Sequence, residues 1–316
     1  MGLRRLFKNA YIKHKYNKIV NETCDVDYFN CEKLVCYNFK PCRTPNPQNF
    51  FYGNDLAIAN YDSTFVANRK GCVIEHGLYL GEAICPRDFS KEVKTVYTFS
   101  EYRENAIRSS GISGIESVNI KKVGPYICHT DNFYSPKLIE NYKAQLGSVL
   151  LVFPSHSIED IHIQVNHDQF IADIKSIAQN YKTVIICVYW KDILDGLHIK
   201  YQESGFTIAT AGHRSDPRFL SRLKDLIEIS DMTMSNNIGT HVGYCIAMNR
   251  PHYIKEQEIV YTGEGVEKEF KNRNSDHYKS IVNYEKRLLF DAFSSVKPKI
   301  TPKQQELVDH FWGKVQ

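Results

Sequence analysis

A chain of 316 residues is long enough for two domains of roughly 150 residues each, and 42% hydrophobic with 12% aromatic content supplies a core that excludes a disordered chain. The formal charge is only +4, and the basic residues do not continue as an aromatic-interleaved patch, which argues against a nucleic-acid partner. No apolar run approaches the ~20 residues needed to cross a bilayer, and no signal-peptide core follows the basic start, so a cytoplasmic chain is expected.

Residues 1–20 carry Arg4, Arg5, Lys8, Lys13, Lys15 and Lys18 with no acid, while Leu3, Leu6, Phe7, Ala10 and Tyr11 recur at helical spacing. Such a helix either lies on an anionic membrane, at the inner face of the cytoplasmic membrane, or packs on its own domain as an ordinary first helix. Nine scattered cysteines without a CxxC pair suit reduced thiols, and the spacing of Cys24, Cys31, Cys36 and Cys42 is too wide for a zinc knuckle. Asp25-Val26-Asp27 spells DxD but lies outside any recognisable nucleotide fold.

From about residue 55 onward, apolar strand-like runs alternate with amphipathic helices, which predicts a parallel α/β architecture. The first half reads as strands at Leu56–Ala59, Gly71–Ile74, Thr95–Phe99 and Val118–Val123, with a helix over Glu101–Ser109 opened by Ser100 and closed by Gly111. Gly124-Pro125-Tyr126 ends that half, and the polar stretch 129–147 holds the boundary. The second half restarts with the unbroken apolar strand Ser148–Phe153. A helix at 167–180, a strand at Thr183–Tyr189, a helix near 192–203 and a strand at Thr207–Ala211 follow. Then come a helix at 217–229, a strand at Asp231–Met234, a helix from 239 to 248 and a strand at His252–Ile254. Helices at 276–294 and 302–313 close the chain, so the expected units are 1–128, 148–275 and a helical 276–316. Ligands of doubly wound sheets bind beyond the carboxyl ends of the strands, so the loops after strands are where chemistry is sought.

Four such junctions carry polar residues that packing alone would not choose. In Glu75-His76-Gly77 a carboxylate and an imidazole precede a glycine, and either side chain could take a proton from a hydroxyl; a plain surface turn is the structural alternative. In Ser155-His156-Ser157 the histidine could donate hydrogen bonds to a leaving phosphate, or a serine could merely cap a turn. Gly212-His213-Arg214 could face a base or a phosphate, although Asp216 as N-cap with Pro217 at the first helical position explains the local sequence structurally. The richest junction runs from Ser235 and Asn236 to Gly239 and Thr240, where hydroxyls and the exposed N–H groups of a helix start form a phosphate site. Gly243 would let that helix pack closely on the sheet. The pattern is neither a Walker A loop nor GxGxxG, which argues against a kinase, an ATPase and a dehydrogenase.

The stretch Leu220–Pro251, LSRLKDLIEISDMTMSNNIGTHVGYCIAMNRP, resembles the donor-binding half of GT-B glycosyltransferases. With EHG at 75–77 and SHS at 155–157 it is similar to bacterial capsule and lipopolysaccharide enzymes: sialyl- and polysialyltransferases, Kdo transferases and CDP-glycerol glycerophosphotransferases. The resemblance covers about residues 70–255 and implies two Rossmann-like domains facing a central cleft. Residues 1–128 would bind the acceptor, Gly77 included, and residues 148–275 the donor. It implies an inverting, metal-independent transfer without a cofactor, in which a CMP-, CDP- or UDP-linked sugar is the co-substrate and a glycan or glycolipid hydroxyl the acceptor. Glu75 or His76 would be the base, His156 would support the donor phosphate, and Ser235 with Thr240 would grip it. Two departures stand out: EHG replaces a doubled acid, and Ser157 replaces the proline that follows the family's histidine. The rival readings are a sugar-nucleotide epimerase-like isomerase and a non-catalytic, membrane-associated nucleotide-binding protein.

Overall fold

A computed structural model describes residues 14–35, 47–65, 71–82, 84, 92–158, 161–264 and 275–315. Most of the basic segment 1–20, and Cys36, Cys42 and Cys85, lie outside the described residues. The protein is a mixed α/β molecule with two parallel sheets.

Residues 14–22 are helical, and this helix docks on the second half of the chain: the Tyr16 hydroxyl donates to Ser215 O at 3.3 Å, and Arg218 Nη1 donates to Val20 O at 2.8 Å. Helix α1 (Cys31–Val35) follows, then a 3-10 segment at Pro47–Gly53 and helix α2 (Asn54–Tyr61). The strand expected at Leu56–Ala59 is thus the middle of a helix. A run of four apolar residues is too short for periodicity to separate the two forms, and the start is set by Gly53. Gly53 has φ +77°, and a Cβ there would collide with the Pro217 carbonyl.

Strands β1 (Cys72–Ile74), β2 (Thr95–Thr98) and β3 (Asn119–Lys122) form the first sheet in sequence order, every pair parallel. Helix α3 (Glu101–Arg108) crosses between the last two, capped by Ser100, which accepts from the Arg103 N–H. The expected boundary 129–147 contains helix α4 (Pro136–Leu146). In this region the Tyr134 and Tyr142 hydroxyls both donate to Asp27, which explains that aspartate as a framework acceptor.

The second sheet is built from β4 (Val149–Phe153), β6 (Thr183–Cys187), β7 (Thr207–Ala209), β8 (Met232–Ser235) and β9 (His252–Ile254), in the order β7-β6-β4-β8-β9 with all pairs parallel. Every residue of β4 is buried, as a central strand covered on both faces requires. From β4 the chain winds outward through β6 and β7, then returns to β4's other side with β8, so the switch point lies between β4 and β8. A short antiparallel pair, β5 (His162–Gln164) with β10 (Val260–Thr262), is an addition that the sequence reading missed.

The intervening helices are α5 (His167–Ala178), α6 (Trp190–Leu194), α7 (Leu197–Glu203), α8 (Phe219–Ile229) and α9 (Thr240–Ala247). The single helix expected near 192–203 is broken at Gly196, whose φ of +81° no helix accommodates. Asp216 does not cap α8. It is fully buried against Arg222 at 2.8 Å, and Arg218 occupies the cap position.

Helices α10 (Asp276–Phe293) and α11 (Pro302–Phe311) return across both sheets. Glu285 of α10 accepts from the Gly81 N–H and the Tyr102 hydroxyl, each at 2.7 Å, and Phe311 O accepts from Ser100 Oγ at 3.2 Å. Trp312 is fully buried and donates from Nε1 to Thr240 O at 3.0 Å. One buried cluster therefore contains Ile74 and Tyr97 of the first sheet, Leu151 and Ile185 of the second, and Leu289 and Trp312 of the closing segment. Gly243 serves this segment rather than the sheet, because a Cβ there would collide with the Trp312 indole. Gly243→Ala is expected to destabilise the fold by about 1–3 kcal/mol, measured as a lowered urea midpoint.

Candidate functional site

The carboxyl ends of the two sheets meet. Beyond β1 the chain forms the loop Glu75–Leu78, whose Leu78 N–H donates to Thr240 Oγ1, the first residue of α9, at 2.9 Å. A Cβ on Gly77 would stand 3.3 Å from the same oxygen, so glycine lets the loop approach the helix start. The EHG and GT motifs, 162 residues apart at this bond, thus share one crevice.

Within EHG the two candidate bases differ sharply. Glu75 is 6% exposed and takes a two-point contact from Arg103, Nε to Oε2 at 3.0 Å and Nη2 to Oε1 at 2.6 Å, while Thr98 Oγ1 donates to Oε2 at 2.5 Å. Three donors thus hold the Glu75 carboxylate in place. His76 is half-buried between two aromatic edges, Phe51 at 6.1 Å and Tyr79 at 6.0 Å. Arg103 braces both flanks of His76, since its guanidinium also lies 4.9 Å over the Tyr79 ring.

At the switch point the loop after β4 faces the loop after β8. Asn236 Oδ1 accepts from both the Ser155 N–H (2.7 Å) and the Ser155 hydroxyl (2.8 Å), and its Nδ2 donates to Gln257. Ser235 is fully buried, donating to Asn237 O at 2.7 Å and bonded to His252 Nε2 at 3.0 Å. Ser235 and Asn236, expected to grip phosphate, thus both make bonds within the protein's own framework. Gly239 and Thr240 remain at the helix start, which no side chain caps. The His241 ring packs against Gly239, 4.8 Å from Phe153, and burial together with the nearby His156 pushes its pKa down to about 3.

His156 is half-buried and stacked on Tyr189, ring centroids 4.0 Å apart at 27°. Its Nδ1 lies 3.2 Å from Ser157 O, and burial lowers its pKa below the usual histidine value, opposed by that carbonyl. A carbonyl oxygen only accepts, so Nδ1 carries the hydrogen and Nε2 the lone pair. Neutral His156 is thus not ready to donate to a phosphate through Nε2. It could do so only after taking up a proton.

The third junction divides. His213 is buried against Trp190 at 4.2 Å, its Nδ1 accepts from the Ser215 N–H at 3.0 Å, and burial pushes its pKa down to about 4. Gly212, at φ +94°, shapes the same turn. Both shape the turn that follows β7. Arg214 remains half-buried over the Phe51 ring at 4.5 Å. Phe51 stands between Arg214 and His76, and the segment carrying it spans the two sheets: Asn49 bonds Cys72 O and the Ile74 N–H, and the Tyr52 N–H donates to Arg214 O at 2.5 Å. Sequence reasoning missed Phe51, Tyr52, Arg103, Tyr189, Asp192 and His241. Arg103, Tyr189, Asp192 and His241 carried the signal used elsewhere, a polar group soon after a strand, whereas Phe51 and Tyr52 precede one. Among the described residues, no group of three His, Cys, Asp or Glu is placed to hold a metal ion.

No family model and no curated protein matches this chain. Among solved structures, the wall teichoic acid polymerase TagF aligns at 14% identity and TM-score 0.41, over 71% of this chain and 53% of that one. Anabaena HepE in complex with UDP aligns at 15% identity and TM-score 0.33, over 83% and 73% respectively. HepE with UDP-glucose gives 16% and 0.34 over the same shares. The chain spans about half the length of the TagF chain it aligns with.

Proposed function

We propose that this chain is an inverting glycosyltransferase that moves a sugar from a nucleotide-linked donor to a glycan or glycolipid hydroxyl. The observation that carries the reading is the 2.9 Å contact of the loop after β1, which carries His76, with the start of α9, a helix start that no side chain caps, beside the switch point. Transfer needs such a pair, one group on the acceptor side and one on the phosphate side. His76 takes the proton of the acceptor hydroxyl as its oxygen attacks the anomeric carbon, and the bond from that carbon to the phosphate oxygen breaks. The N–H groups at Gly239–Thr240 and a protonated His156 receive the departing charge, and Arg214 stands on the nucleotide side. Helix dipole and imidazole offset that charge without a cofactor or a resident metal in this scheme.

The test is nucleotide release from CMP-, CDP- and UDP-sugars with and without added bacterial glycan. Release that depends on the glycan and disappears in His156→Ala is expected. Conversion of the donor without a glycan would make the protein an isomerase, and binding without turnover would make it a nucleotide-binding scaffold.

Proton uptake at His156 fixes a pH dependence. Its pKa is lowered in the free protein by burial, and a diphosphate beside Nε2 raises it, so the complex holds more protons than its parts. Affinity for a nucleotide sugar, whose diphosphate does not titrate near neutrality, is therefore expected to rise as pH falls through the window between the bound and free pKa, by at most about tenfold per pH unit. Calorimetry in two buffers of different ionisation enthalpy reads the proton directly, and His156→Gln is expected to abolish the uptake.

A further inference from the structure

We infer that Asp192 is a positioning residue that selects which nitrogen of His156 faces the donor. The inference rests on the role proposed for His156, and it is carried by a chain of contacts. Asp192 is the third residue of α6, just beyond β6, and is 4% exposed. Its Oδ1 accepts from the Ser157 N–H at 3.3 Å, and the carbonyl of that same residue lies 3.2 Å from His156 Nδ1. The carboxylate thus holds the peptide segment whose far end fixes the hydrogen on Nδ1 and turns the Nε2 lone pair toward the crevice. Tyr189, on the same strand-to-helix connection, stacks on the imidazole, and its hydroxyl lies 3.4 Å from that of Tyr52. One connection therefore sets both the plane of the ring and its tautomer.

Asp192 is buried in the first turn of α6. Burial pushes its pKa up to about 6, with the Ser157 bonds opposing, so the group is held in place against its own desolvation. A surface cap would carry no such cost. Lys191 of its own helix, Asp195 at that helix's C-cap, and the Tyr189 and Tyr201 phenols are titratable neighbours that act on it or feel its charge.

The experiment uses the full chain labelled with ¹⁵N-histidine, with the imidazole nitrogens read by long-range proton–nitrogen NMR and UDP-glucose and a CDP-linked sugar as ligands. In the unmodified protein without ligand, His156 is expected as the Nδ1–H tautomer; an Nε2–H tautomer there would overturn the inference without any variant having to fold. Asp192→Ala is expected to move His156 toward the Nε2–H form and to weaken nucleotide-sugar binding by about 3- to 10-fold, the worth of one hydrogen bond. Asp192→Asn keeps an accepting oxygen and is expected to restore both, which general loss of packing would not do. An unchanged tautomer in Asp192→Ala, or equal shifts in the Ala and Asn variants, would contradict the assignment. Because the tautomer is read without ligand, a protein that binds neither nucleotide sugar would refute the proposed function while leaving the Asp192 result to stand on its own.

Discussion

His76→Ala is expected to lower kcat by about 10²–10⁴-fold while nucleotide affinity changes little. The split follows from the proposed roles: His76 belongs to the loop after β1, whereas the proposed phosphate site is the start of α9 with the loop after β4. Its ring is half-buried between the edges of Phe51 and Tyr79 rather than in the closed core. The variant should therefore fold and bind nucleotide. Parallel steady-state kinetics and calorimetry check the split. Equal losses in kcat and in affinity would place His76 on the donor rather than on the acceptor proton.

The second large effect is on stability. Arg103→Met is expected to cost about 3–5 kcal/mol, because it leaves the Glu75 carboxylate buried without its partner. The guanidinium is fully buried and the carboxylate 6% exposed, so solvent cannot replace the lost contact. Urea denaturation followed by circular dichroism measures the loss. Pairing Arg103→Met with Glu75→Leu removes the stranded charge and is expected to recover most of the stability. It should not recover turnover, since Arg103 also braces Tyr79 on the other flank of His76. A fully active double variant would show that this brace is irrelevant to His76.

How far the sequence could be read depended on whether a residue's partner was local. The buried strands β4 and β6 were legible as unbroken apolar runs, and α3 was legible because its N-cap Ser100 lies beside the residues it caps. The β5–β10 pair was not, since its residues are short, mixed and exposed, and pairing spans about a hundred positions. Leu56–Ala59 misled because a short apolar run fits either form. The same rule held at the site. That EHG, SHS and GT follow strands was visible in the chain, and the structure brings the first and last of these together. The ion pair that holds Glu75 was out of reach, because Arg103 lies 28 residues away. The bond of Ser235 to His252 was hidden for the same reason: the two are 17 residues apart, and only the β8–β9 pairing brings them together.

The central claim is that the crevice between β4 and β8 holds a nucleotide-linked donor, and a thermal-shift screen against CMP, CDP, UDP, GDP and their sugar conjugates tests it most directly. A ligand at about 100 times its Kd stabilises the native state by roughly 2.7 kcal/mol, so one nucleotide class should raise the melting temperature clearly. That shift should shrink in His156→Ala and in Thr240→Val. No shift with any nucleotide, or one that both variants leave intact, would contradict the assignment of this crevice as the donor site.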